Sequence, residues 1–112
     1  MASIQTTRAL ALEAPVDLPD GAGGLIRSWQ VLGTLWAEVL PGTGRSAAGE
    51  EVSLGYTPFR ITVRGAPPGS DERPQAGQRF REGGRLFTIL AVTERDAAGG
   101  WLTCFAKEES PA

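Results

Sequence analysis

Glycine and proline punctuate the whole chain. There are 15 Gly and 8 Pro, spread so that no long segment keeps apolar residues at i, i+3, i+4 and i+7 free of a breaker. Long amphipathic helices are therefore a poor framework, and an all-β domain of short strands and turns is expected. Several runs alternate as half-buried strands do. In Phe59-Arg60-Ile61-Thr62-Val63-Arg64, the apolar Phe59, Ile61 and Val63 should face the core and leave Arg60, Thr62 and Arg64 outside. Leu35, Ala37 and Val39 alternate with Trp36, Glu38 and Leu40. Phe87, Ile89 and Ala91 alternate with Leu86, Thr88 and Leu90, a pattern that suits a strand covered on both faces. Trp101, Thr103 and Phe105 alternate with Leu102, Cys104 and Ala106. A first strand is expected over residues 8–13, stopping before Pro15.

The turns are as legible as the strands. Glu82-Gly83-Gly84-Arg85 reads as a tight hairpin, because Gly accepts the positive φ that such turns require. Residues 96–100 read as a looser hairpin, and residues 20–24 close a third. About six antiparallel strands joined in this way point to a small barrel or sandwich. Two segments resist the pattern. Residues 42–55, after the second strand, are polar and long for a hairpin loop, with a short helical turn expected near residues 46–52. Residues 65–77 hold three Pro and three Gly and should be irregular. The length suits one domain, residues 1–112.

Composition removes several functions. The 41% hydrophobic content can build a small core without staples. There is no His, and Cys104 is the single cysteine, so Ser-His-Asp and Cys-His arrangements, internal disulfides and Cys-based metal clusters are excluded. No enzyme activity, metal or cofactor is expected. No apolar run approaches the ~20 residues of a membrane helix, and the N-terminus lacks a signal-peptide pattern, so the chain should be made in the cytosol without a membrane partner. The net charge of −2 argues against wrapping by nucleic acid. Residues 1–59 hold three Arg against six acids, whereas residues 60–95 hold seven Arg against four.

The candidate motifs have plain competitors. Gly42-Thr43-Gly44-Arg45-Ser46 lacks the spacing and lysine of a phosphate loop. Glu50-Glu51 and Asp71-Glu72 are adjacent pairs, and neighbours in an extended chain point opposite ways. Trp29, Trp36 and Trp101 suit stacking platforms for single-stranded nucleic acid, or large aromatics filling a core or a subunit interface. With no basic residues interleaved among them in the sequence, packing is the favoured role. Arg60 and Arg64 share a strand face, and Arg79, Arg81 and Arg85 flank the Gly83-Gly84 turn. If those strands are neighbours they form a basic patch; otherwise they are solvated strand faces. Leu32, Trp36 and Leu40 lie opposite the Leu35–Val39 face and are candidate interface residues.

The ordered set of landmarks resembles the head-tail joining (head closure, or stopper) proteins of tailed bacteriophages, including those of phage-like gene transfer agents. The carriers are a first strand before Pro15, a Gly turn at 21–24, a strand bearing Trp29, and Trp36-Ala37-Glu38-Val39-Leu40-Pro41 running into Gly42-Thr43-Gly44. Then come Phe59–Arg64, a Pro/Gly loop, the Arg79–Ile89 hairpin and a last apolar strand at 101–106. The loop at 65–77 is longer than the family pattern.

This resemblance implies a β-barrel subunit of a homo-oligomeric ring of about six or twelve copies. It further implies portal and adaptor proteins above, tail proteins below, and double-stranded DNA passing through the channel. The ring would retain packaged DNA, placing the protein in the virion. Its channel and gating loop would be Gly42, Thr43, Gly44, Arg45, Ser46, Ala47, Ala48, Gly49, Glu50 and Glu51. The other reading, a monomeric small β-barrel that binds single-stranded nucleic acid or a peptide, stays open at this level.

Overall fold

The computed structural model describes residues 3–42 and 56–109. Among these residues six strands follow in order: β1 (Arg8–Pro19), β2 (Leu25–Pro41), β3 (Thr57–Arg64), β4 (Arg79–Glu82), β5 (Arg85–Glu94) and β6 (Trp101–Glu108). All pairings are antiparallel, and the order β1-β2-β3-β6-β5-β4 closes back on β1 as a barrel. The all-β expectation and the strand number are therefore met.

Alternation explains the core. Leu10 and Leu12 from β1, Ala37 from β2, and Ile61 and Val63 from β3 are buried with Phe80 from β4. Phe87 and Ile89 from β5, with Leu102, Cys104 and Ala106 from β6, complete the interior. Phe59 meets Phe87 edge to face at 5.2 Å between ring centroids. Arg60 and Arg64 point outward as their alternation predicts, and Thr62 faces out with them. Thr62 is nonetheless buried, paired with the equally buried Thr103 across β3 and β6 and flanked by longer side chains.

Two bulges change the expected faces. On β2 the register shifts opposite Leu12 and Glu13, which pair with Gly33 and Val31 and leave Leu32 as the extra residue. Leu32 thereby turns inward and packs against the core, so it does not share the outer face of Trp36 and Leu40, which are exposed. On β5 the register shifts between Ile89 and Ala91. Beyond that point Val92 packs against the core while Leu90 and Ala91 are exposed, so β5 is not covered on both faces.

The first strand does not stop before Pro15. It continues to Pro19, because β4 pairs only with Ala11, Leu12 and Glu13. Past Glu13 the outer edge of β1 has no neighbour, and a proline there costs no ladder hydrogen bond. Residues 14–19 and 25–30 consequently form a two-stranded arm beyond the barrel. The molecule measures 54 × 35 × 25 Å, and its radius of gyration of 15.4 Å exceeds the roughly 13 Å of a compact chain of this length.

The hairpins are as read: Glu82 pairs Arg85 around Gly83 at φ 59°, and residues 96–100 join β5 to β6. Residues 65–77 are irregular but anchored. Pro74 is fully buried, and the Arg73 guanidinium donates to the Ala66 carbonyl at 2.9 Å.

Gly65 touches the hairpin across from it. Its N–H donates to the Gly100 carbonyl at 2.9 Å, and a Cβ on Gly65 would lie 2.0 Å from the Gly99 carbonyl oxygen. That oxygen belongs to the backbone and cannot swing aside. Gly65→Ala should therefore cost about 1–3 kcal/mol in urea unfolding. Gly33→Ala, whose Cβ would meet nothing within 4 Å, should be close to neutral. Equal midpoints for the two variants would contradict the close approach.

Candidate functional site

One end of the barrel gathers the starts of β1, β3 and β5 and the ends of β2, β4 and β6. Two arginines there are matched with carboxylates. Arg8 Nε donates to Glu82 Oε2 at 2.9 Å, and Arg85 donates to both carboxylate oxygens of Glu108 at 2.7 and 3.0 Å. The Arg85 guanidinium also lies over the Phe59 and Phe87 rings at 5.6 and 5.0 Å, closing the apolar interior with a cation. Hydrogen bonds from Arg8 and Arg85 hold the Glu82 and Glu108 carboxyls below the ordinary carboxylate range.

The long connection after β2 begins at this same end. Gly42 is its described stem: its N–H donates to the Pro58 carbonyl at 2.9 Å, and a Cβ there would press on Pro58 at 3.1 Å. Thr43, Gly44, Arg45, Ser46, Ala47, Ala48, Gly49, Glu50 and Glu51 lie outside the described residues, as does the helical turn expected near 46–52.

The five arginines of the expected basic patch are not brought together. Arg60 and Arg64 sit on β3, Arg79 and Arg81 on β4, and these strands lie on opposite sides of the six-membered ring. Three of the five are also neutralised. Arg85 belongs to Glu108, while Arg79 Nε and Arg81 Nε donate to the two oxygens of Glu13 at 2.7 and 3.0 Å. Glu13 is 4% exposed although it points away from the barrel interior. Burial alone would push its carboxyl up; the hydrogen bonds and charges of Arg79 and Arg81 outweigh that and hold it below its ordinary value.

None of the tryptophans belongs to the core. Trp29 lies under the Arg79 guanidinium at 3.9 Å, and Trp101 under that of Arg64 at 4.8 Å. The fold thus interleaves aromatic and basic groups that the sequence keeps apart. Trp36 is 61% exposed and lines a cleft of about 440 Å³ with Thr6, Thr34, Leu35, Arg64 and Glu72. Cys104 is a buried hydrophobe whose thiol is pushed up to about 12 by burial, so it stays protonated.

The model of the phage head completion protein family matches residues 1–109. The chain belongs to that family. It is similar to a chain in the virion of a native gene transfer agent particle, with 51% identity over 100% of both chains and a TM-score of 0.77. The solution structure of protein SF1141 from Shigella flexneri 2a shares the fold, with a TM-score of 0.71 and 22% identity over 100% of both chains. No curated protein matches the chain.

Sequence reasoning missed the arm and the Glu13 cluster. A signal for the arm was present: Val16 and Leu18 continue the apolar alternation past Pro15, and the apolar Leu25 and Ile26 follow the Gly turn directly. Nothing local marks Glu13, because its partners lie 66 and 68 residues away.

The lowered Glu13 sets a pH dependence. A carboxylate held below its unfolded value stabilises the fold above that value, and the contribution is lost as pH falls through the folded value. Glu13→Gln should cost about 2–3 kcal/mol near neutral pH, and its penalty should shrink as pH drops below about 4.3. Denaturation curves of parent and variant that stay equally separated from about pH 7 to about pH 3 would show that the ionised pair contributes nothing.

Proposed function

We propose that this chain is a ring subunit at the head-tail junction of a phage-like particle, where it retains packaged double-stranded DNA and docks the tail. The observation that carries the reading is the full-length likeness, at 51% identity, to a chain of a gene transfer agent virion. A role in head completion fits the family description. On this reading the chain resides in the particle, in about six or twelve copies, between portal and adaptor proteins above and tail proteins below. Its work is structural and not catalytic.

The connection of residues 42–55 is the proposed gate. Its stem stands at the barrel end where Arg8 and Arg85 are already paired with Glu82 and Glu108. A surface past which DNA must slide is served by such pairing, because each uncommitted arginine adds phosphate affinity and slows passage. The competing reading, a monomeric barrel stacking bases of a single strand, has less support. The ring faces of Trp29 and Trp101 are already covered by Arg79 and Arg64, leaving Trp36 as the open one of the three.

Deletion of residues 46–51 tests the gate. β2 and β3 pair directly, so shortening their connection should leave the barrel folded. Heads carrying the deletion should package DNA and then lose it before tails attach. Retention equal to that of the parent would assign gating to another loop or another protein.

A further inference from the structure

Among the described residues, 14–19 and 25–30 pair only with one another, so they form a ribbon extending about 20 Å past the last β1–β4 pair. A lone two-stranded ribbon is marginal in water. This one is nevertheless built to hold its shape. Asp20 Oδ1 accepts from the Ala22 and Gly24 N–H groups at 2.7 and 2.9 Å, and Arg27 grips Asp17 across the strands at 2.9 Å. What it holds out is apolar: Leu18 is 51% exposed, Leu25 69% and Ile26 58%, with Leu18 directly opposite Ile26 on one face. Pro15 and Pro19 interrupt the donors along the β1 edge, which guards that edge against strand addition. The tip and faces of the arm are therefore its contact surface.

The same chain carries a cleft of complementary character. Leu35 and the exposed Trp36 supply its apolar wall, and Arg64 and Glu72 supply one charge of each sign. The arm offers its set on two faces: Leu18 and Ile26 are on one, and the Asp17–Arg27 pair with Leu25 is on the other, so a ribbon seated in the cleft turns an apolar face to one wall and a charged face to the other. Asp17 can meet Arg64 while Arg27 meets Glu72. The arm cannot reach its own cleft. Ile26 and Trp36 lie on one continuous strand, about 33 Å apart at the usual rise, and a strand does not fold back on itself.

We propose that the arm of one copy docks in the Trp36 cleft of a second copy of this chain. Arm tip and cleft are different patches, so the contact is heterologous; it repeats head to tail and closes as a ring when the rotation allows. The proposal rests on the ring reading above and names the contact that builds the ring.

Cysteine cross-linking in assembled particles tests it. Ile26→Cys and Ala66→Cys place thiols on the arm tip and at the cleft, both at surface positions, while the native Cys104 is buried. Particles carrying both substitutions, treated with a short bismaleimide, should yield a ladder of bands beyond the dimer. Each single variant should stay monomeric. Electron micrographs of the same particles report the ring independently. A ring without the ladder would overturn the arm-in-cleft contact and leave the ring reading standing. Particles in which the chain forms no ring would overturn both. A dimer from Ile26→Cys alone would mean that arms pair with arms about a two-fold axis, which also overturns the proposal. Charge exchange gives a second measure: Asp17→Arg should reduce incorporation into particles several-fold, and adding Arg64→Asp should restore it.

Discussion

The barrel closes through one short seam. β1 and β4 meet at Ala11, Leu12 and Glu13 opposite Arg81, Phe80 and Arg79, and the sheet has no other way to return to its first strand. Each side of the seam is held by different chemistry. Inside, Leu12 and Phe80 are fully buried against each other's strands. Outside, Glu13 receives both guanidinium groups, and Trp29 covers one of them. A carboxylate this buried is tolerable because both oxygens have charged donors. Without Glu13, Arg79 and Arg81 would stand close together with no carboxylate between them. The seam thus converts a curved open sheet into a closed one, and the remaining ladders become continuous around the ring.

Because the seam is short, β1 and β2 outrun it. The barrel needs only the part of β1 up to Glu13, yet the β1–β2 ladder continues to Pro19 and Leu25. The surplus becomes the arm. The bulge at Leu32 sits where the two regimes meet. On its barrel side Leu35, Ala37 and Val39 face inward, and on its arm side the residues answer only to β1. Bulges bend strands and increase twist, which lets a ladder leave the barrel wall while its other end stays within it.

The sequence disclosed what is local. Strict alternation in Phe59–Arg64 set that strand's register, and paired glycines at 83–84 set a hairpin, because both signals depend on near neighbours. The errors all came from tertiary context. Leu32 and Ala91 were placed on the wrong faces because a bulge adds a residue that no periodicity announces. Pro15 looked like a strand end because its tolerance depends on an absent neighbour, which only the β4 boundary reveals. The arginine patch failed because β3 and β4, close in the chain, lie across the ring from each other. For the candidate site, the stem residue Gly42 and the exposed Trp36 and Leu40 were legible, whereas the arm that stands out at the other end was not.

The loop-bearing end of the barrel and the outer face of β3 manage charge differently. At the end carrying the loop stem, Arg8 and Arg85 are each committed to a carboxylate, and the cation that caps the interior is itself shared with Glu108. On β3, by contrast, Arg60 and Arg64 face outward and take part in no ion pair among the described residues. Phosphate contacts add affinity roughly one by one, so a wall facing moving DNA is best left without uncommitted arginines, while a wall facing protein gains from having them. Arg64 also borders the cleft that contains Trp36. Under the ring reading proposed above, the same rule assigns the end held by the Arg8–Glu82 and Arg85–Glu108 pairs to the channel and the Arg64 side of β3 to a neighbour.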